Sequence, residues 1–182
     1  MPDNISADSD YGYAFSASTE ERVREVLGEI PGRWERMPPL SRALVVETGR
    51  VLTAAGLLSE GRSLSALGKK AGLIGATTTG SLGVDLDFAG TLAAGFHLAS
   101  PALFGYTLPN IALSEAASHY GLVGPVYAIF PEQQTPLTAA VVEAERWLAC
   151  LPELDLVIAG AFDAWPASET AASLSVTLTV VS

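Results

Sequence analysis

The chain has 182 residues, enough for one domain with a sizeable core. Hydrophobic residues make up 49% and charged residues 16%, with a mean hydropathy of +0.33. That excludes intrinsic disorder and leaves too little charge to coat an isolated surface. The net charge of −10 argues against a nucleic-acid partner.

Nine of the ten basic residues precede residue 71, and after it Arg146 alone faces ten acidic residues, so residues 71–182 carry −9. No stretch reaches the about 20 uninterrupted apolar residues of a membrane span. The opening MPDNISADSD is acidic and polar, unlike a signal peptide. The single Cys150 excludes a disulfide framework. These features predict a cytoplasmic protein, away from membranes, whose surface is partly covered by another protein.

In chain order, residues 1–18 read as a mobile tail, and Thr19–Ile30 as a short helix with Thr19 as a possible cap. Pro31-Gly32 and Pro38-Pro39 are breaks. Over Leu40–Leu58 the spacing of Leu44, Val45, Val51, Leu52 and Ala55 predicts a helix, with Arg42, Glu47 and Arg50 off its apolar face. Ser59–Lys70 reads as a loop. Ala71–Thr77 reads as a buried strand entering a Thr/Gly-rich loop, and Ser81–Phe96 as a weakly marked helix. Thr107–Tyr120 reads as a helix capped by Thr107, with Pro109 in its first turn and a small-sided surface at Ala112, Ser114, Ala116, Ala117 and Ser118. A strand at Val126–Phe130 leads through a sharp turn, Pro131–Gln134, into a helix at Pro136–Cys150. Leu154–Ala161 and Ser173–Val181 are the remaining strands. The alternation predicts an α/β fold, a mixed sheet with helices covering both faces.

The chemistry-bearing residues are sparse. The loop Gly75–Gly83 is neither a G-x-G-x-x-G nor a Walker sequence and reads as a structural turn. His97 and His119 lack a sequence partner, and His119 sits where a helix end favours a cation. Cys150 reads as a buried small hydrophobe. Asp85 and Asp87 would share a face only on an extended segment. No metal and no cofactor is expected. The turn before Pro136 stands out, because a helix N-terminus there favours developing negative charge. Its side chains are Glu132, Gln133 and Gln134, and an amide can donate a hydrogen bond but cannot accept an acyl group.

Several segments resemble the N-terminal half of β-ketoacyl synthases. Ser100-Pro101 to Phe104 and Leu108-Pro109-Asn110 to Ala112 resemble that family's S-P-x-x-F and L-P-N-M-A. Tyr120 to Ala128 is similar to L-G-L-x-G-P-N-Y-A, and Asp155 to Ala161 to A-D-V-M-V-A-G-G. Arg36 to Leu57 resembles the helix ending in D-A-G-L, and Leu73–Gly83 the next strand and loop. The resemblance covers about residues 33–166.

Counted from Gly124-Pro125, the family's active-site Cys falls on Gln133, and Glu132 to Ala139 resembles the E-Q-A-G-G-L-D-A segment of chain-length factors. Pro131 and Thr135-Pro136 depart from that pattern. The catalytic histidines and lysine of the family's second half have no counterpart. The family's opening strand is not recognisable. The resemblance implies a thiolase-like layered α/β fold, N-terminal half only, in residues 33–182 after a tail and short helix at 1–32. It further implies a non-condensing, chain-length-factor-like subunit of a polyketide-type ketosynthase, resembling truncated subunits of polyene and aryl-polyene clusters. Its partner would be a ketosynthase, with an acyl carrier protein engaged through that partner. Pairing would use the strand Val126–Phe130 and the small-sided helix Thr107–Tyr120. Tunnel and interface candidates are Leu103, Phe104, Leu108, Ile111, Tyr127, Ile129, Phe130, Gln133 and Gln134. Two other readings stay open: Gln133 assisting malonyl decarboxylation within the heterodimer, and a stand-alone homodimeric binding module.

Overall fold

The computed structural model describes residues 23–58, 63–93, 95–165 and 174–182. The expected Thr19 cap and residues 1–22 lie outside the described residues, while 23–27 are helical. Five helices follow: α1 (Pro39–Ala54), α2 (Leu82–Leu92), α3 (Pro101–Gly105), α4 (Pro109–Tyr120) and α5 (Pro136–Cys150). The strands are β1 (Ala71–Ala76), β2 (Val126–Ile129), β3 (Leu156–Ala164) and β4 (Leu174–Val181). Pro39, Pro101, Pro109 and Pro136 each open a helix, where the missing N–H costs nothing and φ is preset.

The sheet order is β2-β1-β3-β4. β1 runs parallel to β2 and β3, with Ile74 opposite Tyr127 and Ala159. β4 returns antiparallel to β3. β1 is buried throughout and β3 nearly so, as strands covered on both faces must be. On one face Leu73, Ile158, Phe162 and Leu178 pack against α1 and α4. On the other, Ile74, Val157 and Ala159 pack against Ala140 and Ala144 of α5. Each such large side chain contributes about 1.5–3 kcal/mol of burial. Gly75 makes one face possible, because a Cβ there would sit 2.4 Å from the Phe162 ring and 3.0 Å from Leu113.

This is the mixed, helix-covered α/β sheet expected, with four corrections of detail. Glu47 is not off the apolar face but fully buried, because α1 is enclosed almost all round; its carboxylate binds the Arg50 guanidinium. Thr107 does not cap α4. Leu108 is the cap residue, with no side-chain bond, and the Thr107 hydroxyl donates back to the Phe104 carbonyl at 2.8 Å. Cys150 is exposed, because it closes α5 on the turn that faces solvent. His119 is half-buried, and that burial lowers its pKa despite the opposing charge of Glu29, so it does not favour the cation.

Candidate functional site

Parallel strands place their C-terminal ends on one side, where α/β sheets hold ligands. Three loops meet there. The first, Thr77–Ser81, follows β1 and is pinned by Asp163 near the end of β3. The Asp163 carboxylate accepts from the Thr77, Thr78 and Thr79 hydroxyls at 2.6, 2.8 and 2.8 Å, and from the Thr78 and Thr79 amides at 2.9 and 2.7 Å. Burial alone would raise the Asp163 pKa. The hydrogen bonds, from the Thr77 hydroxyl first, outweigh it and hold the carboxyl below its ordinary range. The Thr77 oxygen also accepts from the Gly80 amide at 2.7 Å, and Gly80 takes φ +62° to close the turn.

The second loop is the turn from β2 to α5. The Thr135 hydroxyl caps α5, accepting from the Thr138 amide at 3.4 Å. Glu132, Gln133 and Gln134 are exposed on it. With Ile129, Phe130, Val142 and Glu143 they line an open groove of about 430 Å³. The third loop precedes α4. Pro109 and the Phe130 ring both lie over Gly80, within 3.8 Å of where its Cβ would be, and the Ser81 hydroxyl donates to the Thr107 carbonyl. The three loops therefore pack as one unit.

The predicted residues separate into distinct places. Ile129, Phe130, Gln133 and Gln134 come together in the groove. Leu103 lines a different cavity, of about 480 Å³, beside Met37, Val84 and Trp165. Tyr127 is half-buried under α5. Its hydroxyl donates to Glu143 and accepts from the Trp147 indole, and burial pushes its pKa up to about 12. Ile111 is half-buried, while Phe104 and Leu108 are exposed. His119 and Cys150 end α4 and α5 at the turns farthest from their N-termini at the groove. The groove thus offers amides and carboxylates but no thiol or imidazole among its lining residues.

The expected use of α4 needs correction. Of its small residues, Ala112, Ala116 and Ala117 are packed into the core with α1, while Ser114 and Ser118 are exposed. Small residues serve a close helix–helix approach within the chain. The exposed apolar surface lies elsewhere. α2 buries only Val84, and Phe96, Leu98, Phe104, Leu108 and Phe130 are all more than half exposed, Phe96 at 88%. Large exposed apolar patches are the usual sign of an interaction surface. β2 adjoins it at the sheet margin, with every residue half-buried and β1 as its strand neighbour on one side.

Asp163 and Asn110 were not singled out from sequence. The Asn110 side chain accepts from the Ala128 amide at 2.7 Å and so ties the start of α4 to β2. The dipeptide Pro109-Asn110 at a helix start was the available signal for Asn110; Asp163 carried none.

No family model and no curated protein matches the chain. Solved structures do. The ishigamide ketosynthase/chain length factor superposes with a TM-score of 0.65 at 17% identity, over 87% of this chain and 46% of that one. The fold is that of the ketosynthases. A β-ketoacyl synthase from Burkholderia phymatum STM815 matches with a TM-score of 0.56 at 16% identity, covering 87% of this chain and 35% of that one. The ketosynthase from module 6 of the bacillaene synthase of Bacillus subtilis 168 matches with a TM-score of 0.50 at 16% identity, covering 85% and 25%. This chain therefore spans less than half the length of these ketosynthases, and its fold is the thiolase-like layer seen in that part of them. Among the described residues, no helix is long and apolar enough to cross a membrane.

Proposed function

We propose that this chain is a non-condensing, chain-length-factor-like subunit that pairs with a ketosynthase in polyketide or fatty-acid-type chain elongation. The observation that carries this reading is Gln133, exposed on the turn between β2 and α5 in a groove with no thiol or imidazole. Covalent acyl transfer needs a nucleophile and a base at such a turn. An amide supplies neither. The partner would provide both and would bind the acyl carrier protein, consistent with the −9 charge of residues 71–182, which disfavours an acidic carrier here.

In this reading the apolar residues beside β2 meet the partner and bound its acyl tunnel. Enlarging Leu108 or Phe130, for example Leu108→Trp, should then shorten the product of the reconstituted pair by one or more extension units, read by mass spectrometry. Unchanged lengths across a series at Leu103, Phe104, Leu108, Ile111 and Phe130 would remove the tunnel role and leave pairing alone.

The exposure of Gln133 favours one further reading, in which its amide hydrogen-bonds the enolate formed when malonyl-carrier loses carbon dioxide. Gln133→Ala should then lower decarboxylation by the pair about 10- to 100-fold, the scale of one oxyanion donor. An unchanged rate would leave Gln133 a turn residue.

A further inference from the structure

Among the described residues β2 lies at one margin of the sheet, with β1 as its strand neighbour. Its backbone groups alternate between two sides. The Pro125 and Ile129 carbonyls accept from the Leu73 and Thr77 amides at 2.8 and 3.0 Å, so residues 125, 127 and 129 turn their backbone groups toward β1. Val126 and Ala128 therefore turn theirs outward. Such a margin is a template for another strand, and folded proteins block it with charge, proline or cover. Val126-Tyr127-Ala128-Ile129 holds neither a charge nor a proline.

A side chain from another element takes the place of those devices. The Asn110 Oδ1 accepts from the Ala128 amide at 2.7 Å, on the outward side of β2. Asn110 is exposed and stands in the first turn of α4. Asparagine is a poor residue inside a helix and a good one at its cap, yet the cap here is Leu108, with no side-chain bond. The Asn110 amide thus serves β2 and not its own helix. Its backbone is held separately, because the Asn110 carbonyl accepts from the Ser114 hydroxyl at 2.8 Å. A strand arriving antiparallel pairs through both the N–H and the C=O of an outward residue. At Ala128 the N–H is already taken, and the Asn110 side chain stands where the arriving strand would lie.

We propose that Asn110 closes the β2 margin to strand addition by a second copy of this chain. A second copy is the occupant to exclude, because two identical β2 strands are self-complementary about a two-fold axis near Ala128. Asn110 is then a specificity-determining residue: it disfavours self-pairing and leaves Phe104 and Phe130 exposed for a different subunit. The inference concerns the chain alone, so it holds or fails independently of pairing with a ketosynthase.

Sedimentation equilibrium of the full chain alone, with amide exchange at Ala128, tests it. In the wild type the Ala128 amide should exchange at least about 10-fold slower than in a free chain, at a rate independent of protein concentration. Asn110→Ala should tighten self-association by about 10-fold, the scale of one hydrogen bond. Adding Val126→Pro should abolish that gain, because the Val126 N–H faces away from β1 and its loss removes no bond to β1. Asn110→Asp keeps the acceptor and should behave as the wild type. A folded Asn110→Ala variant that associates no more tightly than the wild type would overturn the proposal, as would a gain that survives Val126→Pro. So would a wild-type Ala128 amide that exchanges at the free-chain rate or gains protection with concentration. That wild-type measurement decides even if Asn110→Ala does not fold.

Discussion

Asp163→Ala loses about 3 kcal/mol or more of folding stability, read as a lower urea midpoint and a thermal midpoint lower by roughly 6–12 °C. The reason is geometric. One carboxylate, 8% exposed, satisfies three hydroxyls and two backbone amides that hold the β1 loop to β3. Alanine strands the Thr77 hydroxyl, which is fully buried, and removes the acceptor of the partly buried Thr78 and Thr79 amides, and an unsatisfied buried donor costs about 1–3 kcal/mol. Asp163→Asn keeps the Oδ1 acceptor and lets the Thr78 hydroxyl accept instead of donate, so it should cost about 1 kcal/mol.

The two variants also separate charge from shape. The folded state holds the Asp163 carboxyl below its ordinary range. Its contribution is therefore complete above the unfolded carboxylate pKa of about 3.9 and is lost as pH falls through the lower folded value. The stability gap between wild type and Asp163→Asn should be constant near neutrality and narrow below that point. A gap that widened in acid would contradict the hydrogen-bond account. Because Gly80, Pro109 and Phe130 stand on this loop, its loss should loosen the neighbouring turn that carries Gln133 as well.

The second large effect concerns association. If the chain pairs with a ketosynthase as proposed, Phe104→Glu and Phe130→Glu should each weaken that pairing at least about 30-fold, the cost of losing an aromatic anchor at an interface. Both side chains are more than half exposed in the chain alone. Phe104 meets the Phe88 ring and Phe130 lies over Gly80, so each replacement should also cost the chain about 1 kcal/mol of its own stability. A titration of labelled chain with ketosynthase, alongside a thermal melt of each variant, checks both halves. Loss of pairing together with collapse of the melt would locate the residues in the fold rather than in an interface.

Much of the fold was legible because the signals were local. Pro136 with Val141, Ala144 and Leu148 marks α5 to the residue, and the β-branched run before Ser182 marks β4. α3 was missed although Ser100-Pro101 carries a cap and a first-turn proline, and the Ser100 hydroxyl does accept from the Leu103 amide. Where the sequence reading failed, the cause was tertiary. Asp163 acts on residues 84–86 positions earlier, so nothing beside it in sequence reveals the bond. Glu47 resembles a surface residue until α1 is enclosed and Arg50 meets it. The small residues of α4 have the same composition whether they face α1 or a partner, and only the packing distinguishes the two.

The site was readable in a similar, partial way. The order strand, turn, helix puts Gln133 on the turn before α5, and there it lines the groove. Leu103 and Phe130 line different cavities, because α3 turns Leu103 toward the one beside Met37. The low charge and high hydropathy find their physical expression in α2, Phe96, Leu98 and the residues around β2, apolar side chains that the described residues leave exposed.

In the proposed reading a ketosynthase subunit covers that surface. Size-exclusion chromatography with light scattering, on the chain co-expressed with a ketosynthase, tests this most directly. The account predicts a single peak with the mass of one copy of each, split into its parts by Phe130→Glu. Two separate peaks for the wild-type pair, or a homodimer of this chain that ignores the ketosynthase, would contradict it.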